Sequence, residues 1–364
     1  MRTMAARIKP WEAGSEFHWM PLAHGSRKPY YLTAANLYSC GRSALAGILQ
    51  YGREVLGWKR LWIPSYYCPE VVETIFATGI SAEFYFDSPM DQVIVPRDIL
   101  PGDAILIVNF FGVKSREEYE EIFRLEIPVI EDHSHDPWSL WVMQSQASYL
   151  TASLRKTLPI PDGGATWSNI GSHLPPQPAQ KGQSSNVPVE KIEAMLLKTL
   201  YLAGKISDKE RYLELFNSAK HNLCLSTVDQ QCGEEPISEL SKGILTSFPW
   251  RGWRAKRLAN YRRLRQQVLE KSGMKILESN DRDVCPFMMT VLFSTRKKRD
   301  QMKKRLIKNS IYPAIIWPIE ESHAWASERA KILSGQILSI HCDGRYSLTD
   351  MDKIAAIFNQ GIVP

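Results

Sequence analysis

Short apolar runs alternate with helically spaced stretches over roughly the first third of the chain. Leu61-Trp62-Ile63 reads as a strand stopped by Pro64, and Pro69 to Thr78 as a helix closed by Gly79. Ala82 to Phe86 is a strand ending at Asp87. Ala104 to Phe110 is a nearly continuous apolar run, of the kind a strand shows when both its faces are covered. Ser115 to Arg124 predicts a helix, and Val129-Ile130 a further buried strand that ends on Glu131 and Asp132. Before all of these, Gly41 to Leu49 opens a helix with small residues in its first turn. This alternation predicts an α/β fold with a mostly parallel sheet.

The pattern changes further along. Residues 1–35 carry Pro, Gly, His and aromatics without a period and read as an extended arm. Residues 168–187 are rich in Pro, Gln, Ser and Gly and read as a loop. Helices are expected from Pro188 to Ala219, and irregular chain over 220–236. The helix over Arg251–Lys271 shows an apolar stripe through Trp253, Leu258, Tyr261, Leu264 and Val268. After it come a strand (Pro286–Phe293), a helix (Lys298–Asn309), two strands (Tyr312–Trp317 and Gln336–Ile340) and a helix (Leu348–Asn359). The expected division is an arm (1–35), a large α/β domain (36–236) and a small α+β domain (237–364).

Composition narrows the classes. With 364 residues, 44% of them hydrophobic, the chain can bury a large core, and 23% charged residues do not describe a disordered protein. The net charge of +6 is compatible with anionic ligands, but no like-charge block resembles a nucleic-acid tail, so no nucleic-acid partner is expected. The six cysteines (Cys40, Cys68, Cys224, Cys232, Cys285 and Cys342) form no CxxC pair, and no metal site is expected. Met1 to Trp19 lacks the apolar centre of a signal peptide, and no run reaches the roughly 20 apolar residues that span a bilayer. The expectation is a cytoplasmic protein with reduced thiols and no membrane association.

Three segments carry candidate chemistry. Glu131-Asp132-His133-Ser134-His135 lies at the carboxyl end of a buried strand, where open α/β sheets bind ligands. A carboxylate there requires a positive partner, whether a ligand nitrogen, an arginine or a helix start. In Thr151-Ala152-Ser153-Leu154-Arg155-Lys156, a lysine follows a strand and precedes Asp162-Gly163-Gly164. A buried lysine can form a Schiff base with an aldehyde, although a surface lysine fits the spacing as well. Gly41-Arg42-Ser43 at a helix start suits a phosphate, or a plain turn.

Taken together and in this order, the three segments resemble the DegT/DnrJ/EryC1/StrS family of pyridoxal-phosphate (PLP) enzymes, the sugar aminotransferases of fold type I. The resemblance runs from about Leu37 to about Asn359, poorest over Ser168–Pro236. It also takes in Trp62-Ile63-Pro64-Ser65-Tyr66-Tyr67-Cys68-Pro69, Val108-Asn109-Phe110-Phe111-Gly112 and Ile311-Tyr312. It implies that Lys156 is the Schiff-base lysine and that Asp132 pairs with the pyridine nitrogen. His135 would lie near the ring's phenolic oxygen. Gly41, Arg42, Ser43, Thr151 and Ser153 would bind the cofactor, and Tyr66 or Tyr67 would face the ring, with Tyr67 the candidate retained. It further implies a homodimer that transfers an amino group from an amino-acid donor such as glutamate to a keto-sugar carried on a nucleotide. Sugar dehydration on the same scaffold, or a non-catalytic binding or regulatory protein, are the alternatives. His323, His341 and Arg345 are expected in core, surface or turn roles.

Overall fold

The computed structural model describes residues 9–23, 30–179, 186–226, 235–279 and 284–360. In chain order its strands are β1 (Ala13–Gly14), β2 (Asn36–Tyr38), β3 (Arg60–Pro64), β4 (Ser81–Tyr85), β5 (Asp103–Val108), β6 (Val129–Asp132), β7 (Tyr149–Ala152), β8 (Gly164–Trp167), β9 (Met274–Ile276), β10 (Met289–Phe293), β11 (Ile311–Tyr312) and β12 (Ile337–Ile340). The α-helices are α1 (Gly41–Glu54), α2 (Pro69–Ala77), α3 (Glu120–Phe123), α4 (Leu140–Gln144), α5 (Leu154–Thr157), α6 (Val187–Leu202), α7 (Glu210–Ser226), α8 (Glu239–Ser247), α9 (Trp250–Gln267), α10 (Arg296–Lys308), α11 (Glu328–Gln336) and α12 (Leu348–Gln360).

Strands β2 to β8 form one seven-stranded sheet in the order β2-β8-β7-β6-β5-β3-β4. The pairings from β4 through β7 are parallel, while β8 runs antiparallel to both β7 and β2. The apolar run in β5 explains the layering, since all six of its residues are buried. Leu106 and Val108 pack with Leu45, Ile48 and Leu49 of α1 on one face. Ile105 and Ile107, one position out of phase, pack with Tyr119, Ile122 and Trp141 on the other. Alternation along a strand thus fills both layers of a helix–sheet–helix sandwich.

The C-terminal part is a three-stranded antiparallel sheet, β12-β10-β9, backed by α9 and α12. Residues 9–23 do not form a free arm. Ala13 is buried with the C-terminal core, β1 pairs in parallel with β11, and the Trp11 indole donates to Asp350 at 2.7 Å. Several element expectations shift. The helix expected at Ser115–Arg124 is a 3-10 turn over Arg116–Tyr119 followed by α3, and Ser115 and Glu118 form its capping box. The strand expected through Trp317 is broken at Pro313, which lacks a backbone N–H for a ladder: Ile311–Tyr312 pairs with β1, and beyond the proline Ala314 makes a single antiparallel bridge to Ser339 of β12. Strands β2 and β8, short and Gly- or Asn-containing, were not foreseen. Helix α7 runs on to Ser226, beyond the expected break at 220. Residues 180–185 of the expected 168–187 loop, and Cys232, lie outside the described residues.

One buried ion cluster ties the segment after β6 to α9. Asp136, 1% exposed, accepts from Arg257 at 2.8 Å and from Arg254 at 2.8 and 3.1 Å. Arg257 is itself 1% exposed and also donates to the Cys285 carbonyl at 3.2 Å. Removing one partner of such a pair leaves an uncompensated buried charge, which costs about 3–5 kcal/mol. Asp136→Leu is therefore expected to lower the unfolding free energy by about that amount in urea denaturation. A loss under about 1 kcal/mol would show that the cluster is not structurally coupled to the core.

Candidate active site

The register of β6 against β7 builds the site. Their parallel pairing sets Asp132 beside Thr151 at the carboxyl end of the sheet. Glu131, one residue earlier, turns to the opposite face and accepts from the Trp141 indole at 2.9 Å. Asp132 is left with the ligand-facing side. It is held there by the Tyr67 hydroxyl, which donates to Oδ2 at 2.6 Å, and by the Ser134 backbone N–H, which donates to Oδ1 at 2.8 Å. Tyr67 reaches it from the loop after β3.

Beyond Thr151 the chain leaves the sheet and makes the single turn α5. The Ser153 N–H donates to the Ser134 hydroxyl at 2.9 Å, which docks the turn on the Asp132 loop. That turn carries Arg155 and Lys156. The Lys156 ammonium stands 5.7 Å from the centre of the Trp317 ring.

The amino end of α1 closes the other side. Cys40 caps the helix without a side-chain hydrogen bond, so the first N–H groups are left for a ligand. The approach is close: a Cβ on Gly41 would lie 2.7 Å from the Ser153 Cβ, and one on Gly164 would lie 2.1 Å from the Cys40 carbonyl oxygen. Only glycine lets α1, α5 and β8 meet at this distance.

These elements enclose a cavity of about 380 Å³. Of the residues expected from sequence, Lys156, Asp132, Gly41, Arg42, Thr151, Ser153 and Tyr67 all line it. Ser43 adds no side chain to the wall, since its hydroxyl turns to Ser39 and Cys40, each at 3.4 Å. His135 stands one ring back, stacked on Phe287 and 5.4 Å from the Trp317 ring centre. Its Nδ1 accepts the Phe111 N–H at 3.0 Å, and burial pushes its pKa well down, so it is neutral with the ring proton on Nε2. Tyr66 points away and donates to the Ile316 carbonyl.

His323 accepts the Glu320 N–H near the surface. His341 lies 3.8 Å from Asp343, and Arg345 pairs with Asp343 at 2.8 Å. None of these three lines the cavity.

Residues missed from sequence also line it: Trp317 after β11, Ser134, Glu16 of the N-terminal segment, Lys191 of α6 and Lys220 of α7. Ser134 belongs to the segment that carries Asp132; nothing in the local sequence marks the other four, which packing alone brings in. The wall carries five basic side chains (Arg42, Arg155, Lys156, Lys191 and Lys220) against three carboxylates (Glu16, Glu70 and Asp132). Gathering that much positive charge around a partly desolvated space favours an anionic ligand. Burial pushes the Cys68 thiol up to about 12, so it is no nucleophile near neutral pH.

The Thr151 hydroxyl, on a residue only 2% exposed, has no hydrogen-bond partner among the described residues. A buried hydroxyl left this way beside an uncapped helix end fits a phosphate oxygen. The donor set therefore fits PLP: Asp132 for the ring nitrogen, Lys156 for the aldehyde, and Thr151, Ser153 and the α1 N-terminus for the phosphate.

No family model matches the chain, and no curated protein sequence does. Solved structures do. The chain is similar to PseC of Helicobacter pylori, an aminotransferase involved in pseudoaminic acid biosynthesis, at 13% identity and TM-score 0.63 over 96% of this chain and 99% of that one. It is similar to DesI, determined in the presence of its TDP-sugar product, at 14% identity and TM-score 0.60 over 90% and 80%. It is also similar to NtdA of Bacillus subtilis, with bound PMP, at 13% identity and TM-score 0.54 over 92% and 73%. The fold is the α/β PLP-dependent transferase fold of type I.

Thr151→Val separates stability from binding. Removing a buried, unpartnered hydroxyl should raise the unfolding free energy of the cofactor-free protein by about 1 kcal/mol. The same change should weaken PLP by roughly tenfold, the loss of one hydrogen bond to a charged group. Denaturation and absorbance titration check the two signs, and weakening of both together would mean that the hydroxyl serves the fold.

Proposed function

We propose that this chain is a PLP-dependent aminotransferase that carries an amino group from an amino-acid donor, glutamate first among them, to a keto group of a nucleotide-linked sugar. The observation that supports this reading most directly is the meeting of Asp132, Lys156 and the unpartnered Thr151 hydroxyl in one basic cavity. The shared fold of sugar-modifying aminotransferases points the same way. PLP, when bound, supplies an aldehyde for amines and a ring that withdraws electrons from the carbon next to nitrogen.

The chain's own residues do the rest. The Tyr67 hydroxyl and the Ser134 N–H both donate to Asp132 and orient its carboxylate edge toward the cavity. Its charge favours a protonated ring nitrogen. Lys156 Nζ would hold the cofactor's aldehyde carbon, and α5 keeps that amine beside the cavity, where it can take and return a proton. Trp317 and Tyr67 supply aromatic faces to the cavity wall. The surplus of basic groups suits an anionic substrate such as a sugar carried on a diphosphate.

The active unit in this reading is a homodimer. The compartment is the cytoplasm, which suits the free, buried cysteines Cys40, Cys68, Cys285 and Cys342. Among the described residues no helix is long and apolar enough to cross a membrane.

Borohydride reduction of the PLP-loaded protein followed by peptide mapping should place a pyridoxyl group on Lys156, and a label only on another lysine defeats the assignment. With glutamate or another donor and no acceptor, the visible absorbance of the bound cofactor should fall and one keto acid should appear per site. If no amino acid does this while a deoxy-sugar forms from a keto-sugar, the reaction is a dehydration instead.

Asp132→Ala should raise the barrier by about 2–4 kcal/mol, roughly 30- to 1000-fold in turnover, with protein yield little changed. Turnover near that of the parent would remove Asp132 from the mechanism. Sedimentation at micromolar concentration should give twice the chain mass, and a fully active monomer would refute the dimer.

A further inference from the structure

The N-terminal segment delivers a carboxylate into the basic end of the cavity on a rigid mount. Glu16 lies two residues past β1. Its backbone carbonyl accepts from Lys198 at 2.7 Å and from Arg345 at 3.0 Å, so one helix of the large sheet's side and one turn of the C-terminal part both fix it. Lys198 also binds Glu12 at 2.6 Å and the Ser15 hydroxyl at 3.2 Å. From this mount the Glu16 side chain reaches Lys191 of α6 at 3.5 Å. Lys191 is 9% exposed, and Arg155, adjacent to Lys156, has its Nε buried with no hydrogen-bond partner among the described residues. Glu16, Arg155 and Lys191 line the same cavity as the unpartnered Thr151 hydroxyl.

Two cations packed beside Lys156 repel one another and are costly to desolvate unless an anion is shared between them. Glu16 pairs with Lys191 in the protein as folded and attracts Arg155 from beyond ion-pair distance. A phosphate dianion brought to Thr151 and the α1 N-terminus enters a cavity that both cations line, and it meets the Glu16 charge there as repulsion.

We propose that Glu16 is a built-in counter-ion that competes with the incoming phosphate group for Arg155 and Lys191, so that the chain itself sets how tightly a phosphate-bearing ligand is held. This rests on the PLP reading for the identity of that ligand and stands on the cavity's geometry for the rest. Lys191 first, then Arg155 and Lys198, hold the Glu16 carboxyl down at about 2, and it stays ionised.

The test compares PLP with pyridoxal, which lacks the phosphate, by absorbance titration, and adds inorganic phosphate alone by calorimetry. Glu16→Gln removes the charge at constant shape and should tighten PLP and inorganic phosphate severalfold, on the order of three- to tenfold, with pyridoxal unchanged. Lys191→Met should weaken both phosphate ligands by roughly tenfold or more, and Lys191→Arg should restore them, which separates loss of charge from loss of fold. Glu16→Gln that weakens phosphate binding, leaves it unchanged, or shifts pyridoxal as much as PLP overturns the inference and makes Glu16 a structural tie. If the parent protein gives no visible band with PLP yet the phosphate affinities move as stated, the anion subsite stands and the cofactor assignment falls.

Discussion

The pairing of β6 with β7 is the constraint on which the site depends. It is only a few rungs long, Ile130 to Asp132 against Tyr149 to Thr151, yet it fixes three things at once. It sets the last residue of β6 beside the third of β7, which places a carboxylate and a hydroxyl on the same face. It also ends both strands at the same level, so that both chains leave the sheet into one cavity. A slip of one residue would turn Asp132 to the side now held by Glu131 and the Trp141 indole, and would point Thr151 into the wrong layer. Such a slip of β6 is costly, because Val129 and Ile130, now buried in opposite layers, would trade places.

The second requirement is closeness. A helix end can serve a phosphate only if nothing bulky stands between its N–H groups and the ligand. Gly41 meets that need by letting α1 lie against Ser153, and Gly164 by letting β8 lie against Cys40 at the start of α1. Ser134 then connects the two halves by taking the Ser153 N–H while its own N–H holds Asp132. The ring end and the phosphate end are thereby fixed by one serine, which explains how a four-residue turn such as α5 can hold Lys156 in place without a long helix behind it.

Much of this was legible in the sequence, and the reason is local. Asp132 follows an apolar strand, Lys156 precedes Gly163-Gly164, and Gly41 begins an amphipathic helix. Each signal lies within a few residues of the group it marks. Where Tyr66 and Tyr67 were indistinguishable, hydrogen bonding decides: Tyr66 turns to the Ile316 carbonyl, and Tyr67 reaches Asp132. Residues brought in from a distance were invisible. Trp317 reads as the end of a strand that Pro313 in fact interrupts. Lys191 reads as one more polar position on a helix, and Glu16 as part of an arm without period. Strands β2 and β8 were missed because three or four residues give no period to detect.

The N-terminal segment shows why such residues escape a local reading. Its charged groups are not surface ornament: Glu12 pairs with Lys198, Glu16 with Lys191, and the Glu16 carbonyl with Arg345, whose guanidinium is itself shared with Asp343. Buried and half-buried pairs of this kind contribute little net stability, because desolvation offsets most of the attraction. Their value is positional. They lock a segment whose strand, β1, belongs to the C-terminal sheet system against α6, which flanks the cavity.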